Sequence, residues 1–220
     1  MLSEPATHPG IWPLSLAGGI GGKRISASDT SAAINAKLGL IPAEILARFA
    51  PMQLSLAMVP ALRAPTVYSS VLTGAAARQQ VGRVSGLGSL VAWNGLYEAL
   101  SHRIGVLGDW AVVHEFGHHV DQAYGIYVDS TRVPLTDREP FASLWTAAYP
   151  TIPDYLFGRS NKLEWFAELW TVQLDASYTG AGTGSAHLFV DLAGGSIPRA
   201  TALRAAFVAA FPELPPFTMS

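Results

Sequence analysis

The stretch Val112-Val113-His114-Glu115-Phe116-Gly117-His118-His119-Val120-Asp121 decides the fold that this sequence predicts. Asp109 precedes it and is a residue type that commonly caps the start of a helix, whereas Gly125 follows it and is a common stop. We therefore expect a helix over residues 109–124. With about 100° of rotation per residue, its apolar side chains share one broad face and a polar stripe lies opposite.

The polar stripe has the spacing of a metal site. His114 and His118 are four residues apart, which places their Cβ atoms about 5–6 Å apart on one helix face. Two imidazoles so placed can hold one ion with bonds of about 2.0–2.1 Å. Glu115 is rotated off the stripe by one residue, so its carboxylate can reach a water on the metal and act as general base. The alternative is a pair of surface histidines on an amphipathic helix, but the stripe carries no Lys or Arg.

Asp121 lies on the same stripe as the two histidines. A carboxylate in this position can orient a ligand histidine through its second ring nitrogen. The alternative is an ordinary solvated helix residue, and both interpretations stay open.

The third ligand that a hydrolytic zinc site needs is expected from the segment Leu163-Glu164-Trp165-Phe166-Ala167-Glu168-Leu169-Trp170, in a second predicted helix over residues 161–175. Glu164 and Glu168 belong to a narrow acidic stripe on an otherwise apolar helix. Like charges four residues apart destabilise a helix slightly, and a cation facing the stripe would explain them. The alternative is a solvent-facing acidic edge on which Asn161 and Glu164 form a capping box.

Together, His114-Glu115-Phe116-Gly117-His118, then Asp121, then Glu164-Trp165-Phe166-Ala167-Glu168 resemble the gluzincin metallopeptidases of the anthrax lethal factor and Pro-Pro endopeptidase type. The similarity spans about residues 40–175. The resemblance implies that His114, His118 and Glu164 bind one zinc ion and that Glu115 activates the water. It also implies that Glu168 lies close to the ligands and that the substrate is a protein or peptide.

The sequence departs from that family at one position. Relatives place a Tyr seven residues before the ligand Glu, where its hydroxyl helps to bind the oxyanion, and here this residue is Phe157. Tyr155 is the expected replacement donor. The main prediction is thus a zinc endopeptidase, and the alternative, favoured by Phe157, is a zinc-stabilised binding or structural module without catalysis. Hydrolysis of a non-protein substrate is a third possibility that rests only on the generality of zinc chemistry.

Composition limits the other functions. The chain has 220 residues, no cysteine and a net charge of −2 from 14 basic and 16 acidic residues. The absence of cysteine excludes thiolate metal sites and disulfides. The net charge does not give the basic surface that nucleic-acid-binding proteins usually have. Since no apolar run reaches 18 residues, no membrane span is expected. The first residues lack the basic region of a secretory signal, so the resemblance alone suggests a secreted or virion-associated setting, and the oligomeric state is left open.

The predicted fold class is α+β: a single zincin-like domain with a small mixed sheet, an active-site helix and a second ligand-bearing helix. Residues 1–30 are predicted to be an irregular arm and residues 31–220 the metallopeptidase domain. The predicted strands cover residues 53–59, 66–72 and 83–93. Further helices are predicted over residues 31–49 with breaks at Gly39 and Pro42, and over residues 97–104, 139–149 and 199–211. His119 is expected to be exposed, His102 and His187 to be structural, and Trp165 and Trp170 to lie in the core.

Overall fold

The computed structural model describes residues 11–13, 32, 35–52, 54–58, 95–98, 103–106, 109–178 and 187–219. Its α-helices are α1 (Ala43–Phe49), α2 (Val112–Ala123), α3 (Phe141–Ala148), α4 (Lys162–Leu174), α5 (Leu188–Leu192) and α6 (Ile197–Ala210). Residues 35–38 form a further helical turn before α1. Among the described helices, none has the length and apolar character needed to cross a membrane.

Short strands accompany these helices. They are β1 (Ile11–Pro13), β2 (Leu54–Met58), β3 (Gly95–Glu98) and β4 (Arg103–Val106). β2 pairs in parallel with β1 and β4, and β3 pairs antiparallel with β4. Each strand is only three to five residues long.

The predicted α+β class with a small mixed sheet is wrong, because the part of the chain on which the fold class rests is 66% helix. Among the strand residues whose burial the structure describes, four belong to the buried apolar core, which are Leu54, Leu56, Tyr97 and Ile104. Helices and the turns between them supply the other side chains of the described core, which is therefore mainly helical. The described fold is therefore helical. The strands predicted over residues 66–72 and 83–93 lie outside the described residues.

Two local predictions are also corrected. The helix predicted over residues 97–104 is wrong, because this segment contributes to the antiparallel pair β3–β4, in which Tyr97 lies opposite Ile104. Asp109 does not cap α2. It begins a 3₁₀ turn, Asp109–Ala111, and α2 starts after it without a side-chain cap.

Other local predictions are confirmed. The helical segment before residue 49 is broken at Gly39 and Pro42, as expected. Trp165 and Trp170 are fully buried. The boundary predicted at residue 30 stays a prediction.

The helices α2 and α4 cross closely at the centre of the described fold. A Cβ atom on Gly117 of α2 would lie 3.0 Å from both the Cα of Ala167 and the Cδ1 of Trp170 on α4. Glycine at this position therefore sets how near the two backbones approach. This approach matters for function because α2 carries the two predicted histidine ligands and α4 carries the predicted carboxylate ligand.

Candidate metal centre

Helix α2 brings its two histidines side by side. The ring centroids of His114 and His118 are 4.9 Å apart, with the ring planes almost perpendicular. Ligand-capable atoms of His114, Glu115 and His118 all lie within 4.8 Å of one another. The spacing of four residues on one helix has therefore produced the predicted convergence.

Helix α4 directs Glu164 at this pair. Its Oε2 atom lies 3.1 Å from the Nε2 of His114 and 3.3 Å from the Nε2 of His118. The side chain of Asn161 caps α4 by accepting hydrogen bonds from the backbone N–H groups of Leu163 and Glu164. Asn161 thus caps the start of the helix, whereas the Glu164 side chain, 22% exposed, points towards the two histidines.

These distances fit a zinc ion. Metal–donor bonds of about 2.0–2.2 Å in a tetrahedral site imply donor–donor separations of about 3.3–3.6 Å. The carboxylate oxygen of Glu164 is close to that separation from each imidazole nitrogen. Two imidazoles and one carboxylate also form a donor set that leaves a fourth position open, as in hydrolytic zinc sites.

The same three side chains are strongly coupled electrostatically. Burial lowers the pKa of His114, but the hydrogen bond and charge of Glu164 outweigh burial and raise this pKa to about 9. The pKa of His118 is also raised, because the charge of Glu164 outweighs burial there too. In return, the two imidazoles hold the pKa of the Glu164 carboxyl well below its usual range despite burial. The carboxylate and the two imidazoles thus stabilise one another's charged forms.

Glu115 sits in a different environment from Glu164. Burial raises its pKa to about 7, although the neighbouring imidazolium charges of His118 and His114 oppose this shift. The backbone N–H of Tyr97 on β3 donates a hydrogen bond to the carboxylate. A general base works best when its pKa lies near the operating pH, so this environment suits Glu115 to proton transfer at neutral pH.

Asp121 is fully buried on the far part of the stripe. Its carboxylate accepts hydrogen bonds from the backbone N–H of Thr136 at 2.8 Å, from the Thr136 hydroxyl at 3.0 Å and from the Gln122 amide at 3.0 Å. Burial raises the pKa of Asp121, and the charge of His118 opposes this. Asp121 is thus tied to the segment that follows α2, and its predicted role of orienting a ligand histidine stays a prediction.

Glu168 lies one turn below Glu164 on α4 and is 1% exposed. Its Oε1 atom is 4.0 Å from the Nδ1 of His114 and accepts a hydrogen bond of 2.7 Å from the Tyr178 hydroxyl. The structure therefore brings Glu168 next to the predicted ligands, as the resemblance implies.

The structure places Phe157 against the cluster. Its ring centroid is 6.4 Å from that of His114, and the side chain is 48% exposed. The turn that carries it, Phe157–Arg159, packs tightly on α4 and α5, since a Cβ atom on Gly158 would lie 2.5 Å from the Cδ2 of Leu192. The Tyr155 side chain is 65% exposed, and its role as oxyanion donor stays a prediction.

His119 is not the exposed neighbour that was predicted, because its side chain is fully buried. Its ring packs against Phe49 and Phe116, and its Nδ1 lies 3.1 Å from the Tyr97 hydroxyl. The prediction is wrong because α2 is buried on almost every side, so its sequence offers no solvent face. His187 is exposed at the start of α5, and His102 lies outside the described residues.

Two residues near the site, Thr136 and Tyr178, had no distinguishing signal in the sequence. Each belongs to a segment outside the two motif helices and reaches the site only through folding. The sequence matches no family model and no curated protein, so the likeness to the lethal factor type rests on the motif residues alone.

Proposed function

We propose that this chain is a zinc-dependent endopeptidase in which His114, His118 and Glu164 hold one zinc ion. The observation that supports this most strongly is the position of the Glu164 Oε2 atom, 3.1 and 3.3 Å from the two imidazole nitrogens. An ordinary acidic edge of α4 would face the solvent, whereas this carboxylate lies within hydrogen-bond distance of two histidines from another helix. The donor set and the neighbouring carboxylate together support hydrolysis more than a purely structural site.

Each residue would have a distinct task in the proposed reaction. Zinc held by these donors would polarise the scissile carbonyl and lower the pKa of a water molecule to about 7. Glu115 would accept the proton of the attacking water and deliver it to the leaving amine nitrogen as the carbon–nitrogen bond breaks. The Tyr155 hydroxyl would donate a hydrogen bond to the developing oxyanion. Phe157 would offer an apolar surface beside His114.

The first experiment separates metal binding from proton transfer. Glu115→Gln should keep its zinc and lose at least about 100-fold in peptide cleavage, because Glu115 acts on the water and does not bind the metal. His118→Ala should lose zinc. Metal analysis of the purified proteins and cleavage of a peptide library provide the two readouts.

Glu44→Gln is the matched control, because Glu44 is exposed in the first turn of α1 and belongs to neither motif helix. It should retain both zinc and cleavage. Equal zinc loss in Glu115→Gln and His118→Ala would contradict the role of Glu115 as base.

A second experiment tests the oxyanion donor. Tyr155→Phe should lower kcat by about tenfold or more with unchanged zinc content, because one oxyanion donor contributes up to about 10²–10³ in rate. Adding Phe157→Tyr to this variant should restore part of the loss, since that ring already lies against His114. Normal turnover of Tyr155→Phe would show that Tyr155 is not the donor.

The second candidate function is a zinc-stabilised binding or structural module that has lost catalysis. The absence of a hydroxyl on Phe157 and the exposure of Tyr155 favour it. Under this alternative, the wild-type protein would bind zinc stoichiometrically, gain stability from it and cleave no member of the peptide library.

A further inference from the structure

The inner side of the candidate centre contains a buried polar chain that the proposed reaction does not use. Tyr178, in the turn after α4, donates its hydroxyl to the Oε1 of Glu168 at 2.7 Å. The same carboxylate oxygen is 4.0 Å from the Nδ1 of His114. One oxygen atom thus lies between a tyrosine hydroxyl and the rear nitrogen of a proposed zinc ligand.

The Nδ1 atom of His114, on the side of the ring away from Glu164, is buried and lacks a hydrogen-bond partner among the described residues. A metal-bound histidine almost always donates its other ring N–H to a carboxylate, a carbonyl or a water, which fixes the ring orientation and raises its basicity. The Glu168 oxygen needs to approach by only about 1 Å to reach hydrogen-bond distance.

We propose that Tyr178 is a positioning residue for the metal centre: its hydroxyl holds Glu168 in the orientation that lets the carboxylate accept the Nδ1–H of His114. The inference rests on the zinc site of the proposed function and does not depend on peptidase activity. The side chains of Tyr178 and Glu168 are both buried, at 8% and 1% exposure. Bulk water therefore does not compete for the hydrogen bond between them.

The backbone around Tyr178 is held firmly enough for this role. Its N–H donates to the carbonyl oxygen of Asp175 at 2.9 Å. The Asp175 carboxylate in turn accepts from the N–H and hydroxyl of Ser177 at 3.0 and 2.5 Å, and from the Lys37 ammonium group at 2.6 Å. The turn is thereby tied both to the end of α4 and to the helical turn at residues 35–38.

The test is the zinc affinity of the full-length chain, measured by competition with a chromophoric chelator. Tyr178→Phe keeps the ring and removes only the hydroxyl, and it should bind zinc about 10- to 100-fold more weakly, the usual effect of removing such a supporting group. Tyr149→Phe, at an exposed tyrosine in another turn, is the matched control and should bind zinc as the wild type does. The absorption spectrum of bound Co²⁺ should change in Tyr178→Phe and not in the control.

A double-mutant cycle shows whether Tyr178 acts through Glu168. Glu168→Gln should also weaken zinc binding, and adding Tyr178→Phe to it should change the affinity by less than about twofold, since the carboxylate is already gone. Full additivity of the two effects would overturn the proposal.

The remaining outcomes separate this inference from the proposed function. Wild-type affinity and an unchanged Co²⁺ spectrum in Tyr178→Phe would overturn only the role of Tyr178. A wild-type chain that binds no zinc would overturn the metal site and this inference together. Zinc binding without any peptide cleavage would remove the proposed activity and leave the role of Tyr178 to be decided by the affinities.

Discussion

At the scale of single residues, the two carboxylates of Glu115 and Glu164 lie near the same histidines but meet opposite environments. Glu164 lies between the two imidazoles, which keep its pKa low despite burial, and it is therefore an anion ready to bind a cation. Glu115 receives less compensation, and burial raises its pKa to about 7. This difference in surroundings supports the proposal that Glu164 binds a metal ion and that Glu115 transfers a proton, although both are glutamates.

The protonation of the histidines predicts how zinc binding depends on pH. Because the pKa of His114 is raised to about 9 by Glu164, against the effect of burial, zinc must displace a proton at neutral pH. Zinc affinity should therefore increase by up to about tenfold per pH unit between pH 6 and 9 for each proton displaced, and level off above pH 9. Calorimetric titration in buffers of different ionisation enthalpy measures the released protons.

The contrary result for this prediction is a zinc affinity that is independent of pH over this range. It would mean that both histidines are neutral over this range and that Glu164 does not raise their pKa.

At the scale of secondary-structure elements, the site depends on how closely α2 and α4 cross. Gly117 is the point of contact, and its missing side chain leaves room for Ala167 and Trp170. The same crossing brings Glu164 within reach of both histidines. The packing of the core and the arrangement of the proposed ligands thus both depend on this one pair of helices.

Gly117→Ala tests this dependence. Alanine favours a helix by about 1 kcal/mol over glycine, but its Cβ would meet Ala167 and Trp170 at 3.0 Å, where backbone and a rigid ring cannot move aside easily. We expect the overpacking to prevail, with a loss of about 1–3 kcal/mol in the free energy of unfolding and weaker zinc binding. Urea denaturation of the metal-free protein and chelator competition measure the two effects.

The exposed substitution Ala47→Gly in α1 measures the helix-propensity contribution separately. Wild-type or greater stability in Gly117→Ala would show that α2 and α4 accommodate the added methyl group without loss of folding free energy.

At the scale of the whole molecule, contacts distant in sequence hold the early part of the chain against the helices of the site. Lys37 pairs with Asp175 at 2.6 Å, across 138 residues of sequence, and Arg48 pairs with Glu213. The side chains of Lys37 and Asp175 are 17% and 5% exposed, so their pair is more sheltered than a surface salt bridge. The turn that carries Tyr178 is thereby connected to the N-terminal part of the described fold.

Lys37→Met should lower the free energy of unfolding by about 1–2 kcal/mol at neutral pH, between the values typical of exposed and buried pairs. The pKa of Asp175 is lowered, because hydrogen bonds from Lys37 and Ser177 outweigh burial. A carboxyl with a lowered pKa contributes stability above its unfolded pKa of about 3.9, and this contribution is lost as the pH falls through the folded value. The difference between wild type and Lys37→Met should therefore be full above about pH 4 and shrink below it.

Denaturant unfolding curves measured from pH 3 to 7 check this pH dependence. A difference that stays constant into acid would mean that Lys37 stabilises the fold by packing of its aliphatic stem and not through the Asp175 carboxylate.

The sequence by itself determined the features that depend on neighbours within a few residues. The spacing of His114 and His118 on one helix, the position of Glu115 beside them and the capping of α4 by Asn161 all follow from local hydrogen bonding and the helical period. These interactions do not depend on distant segments of the chain, and the structure shows all three arrangements.

The tertiary structure alone decided what lies opposite those local features. Glu164 is 50 residues from His114, and its sequence fitted a solvent-facing edge as well as a ligand. The burial of His119, the contact of Phe157 with His114 and the predominance of helices over the predicted sheet were likewise settled by long-range packing. The physical reason is that periodicity reveals which residues share a face, whereas the partner of that face depends on shape complementarity between segments that are distant in sequence, as Gly117 and Trp170 are.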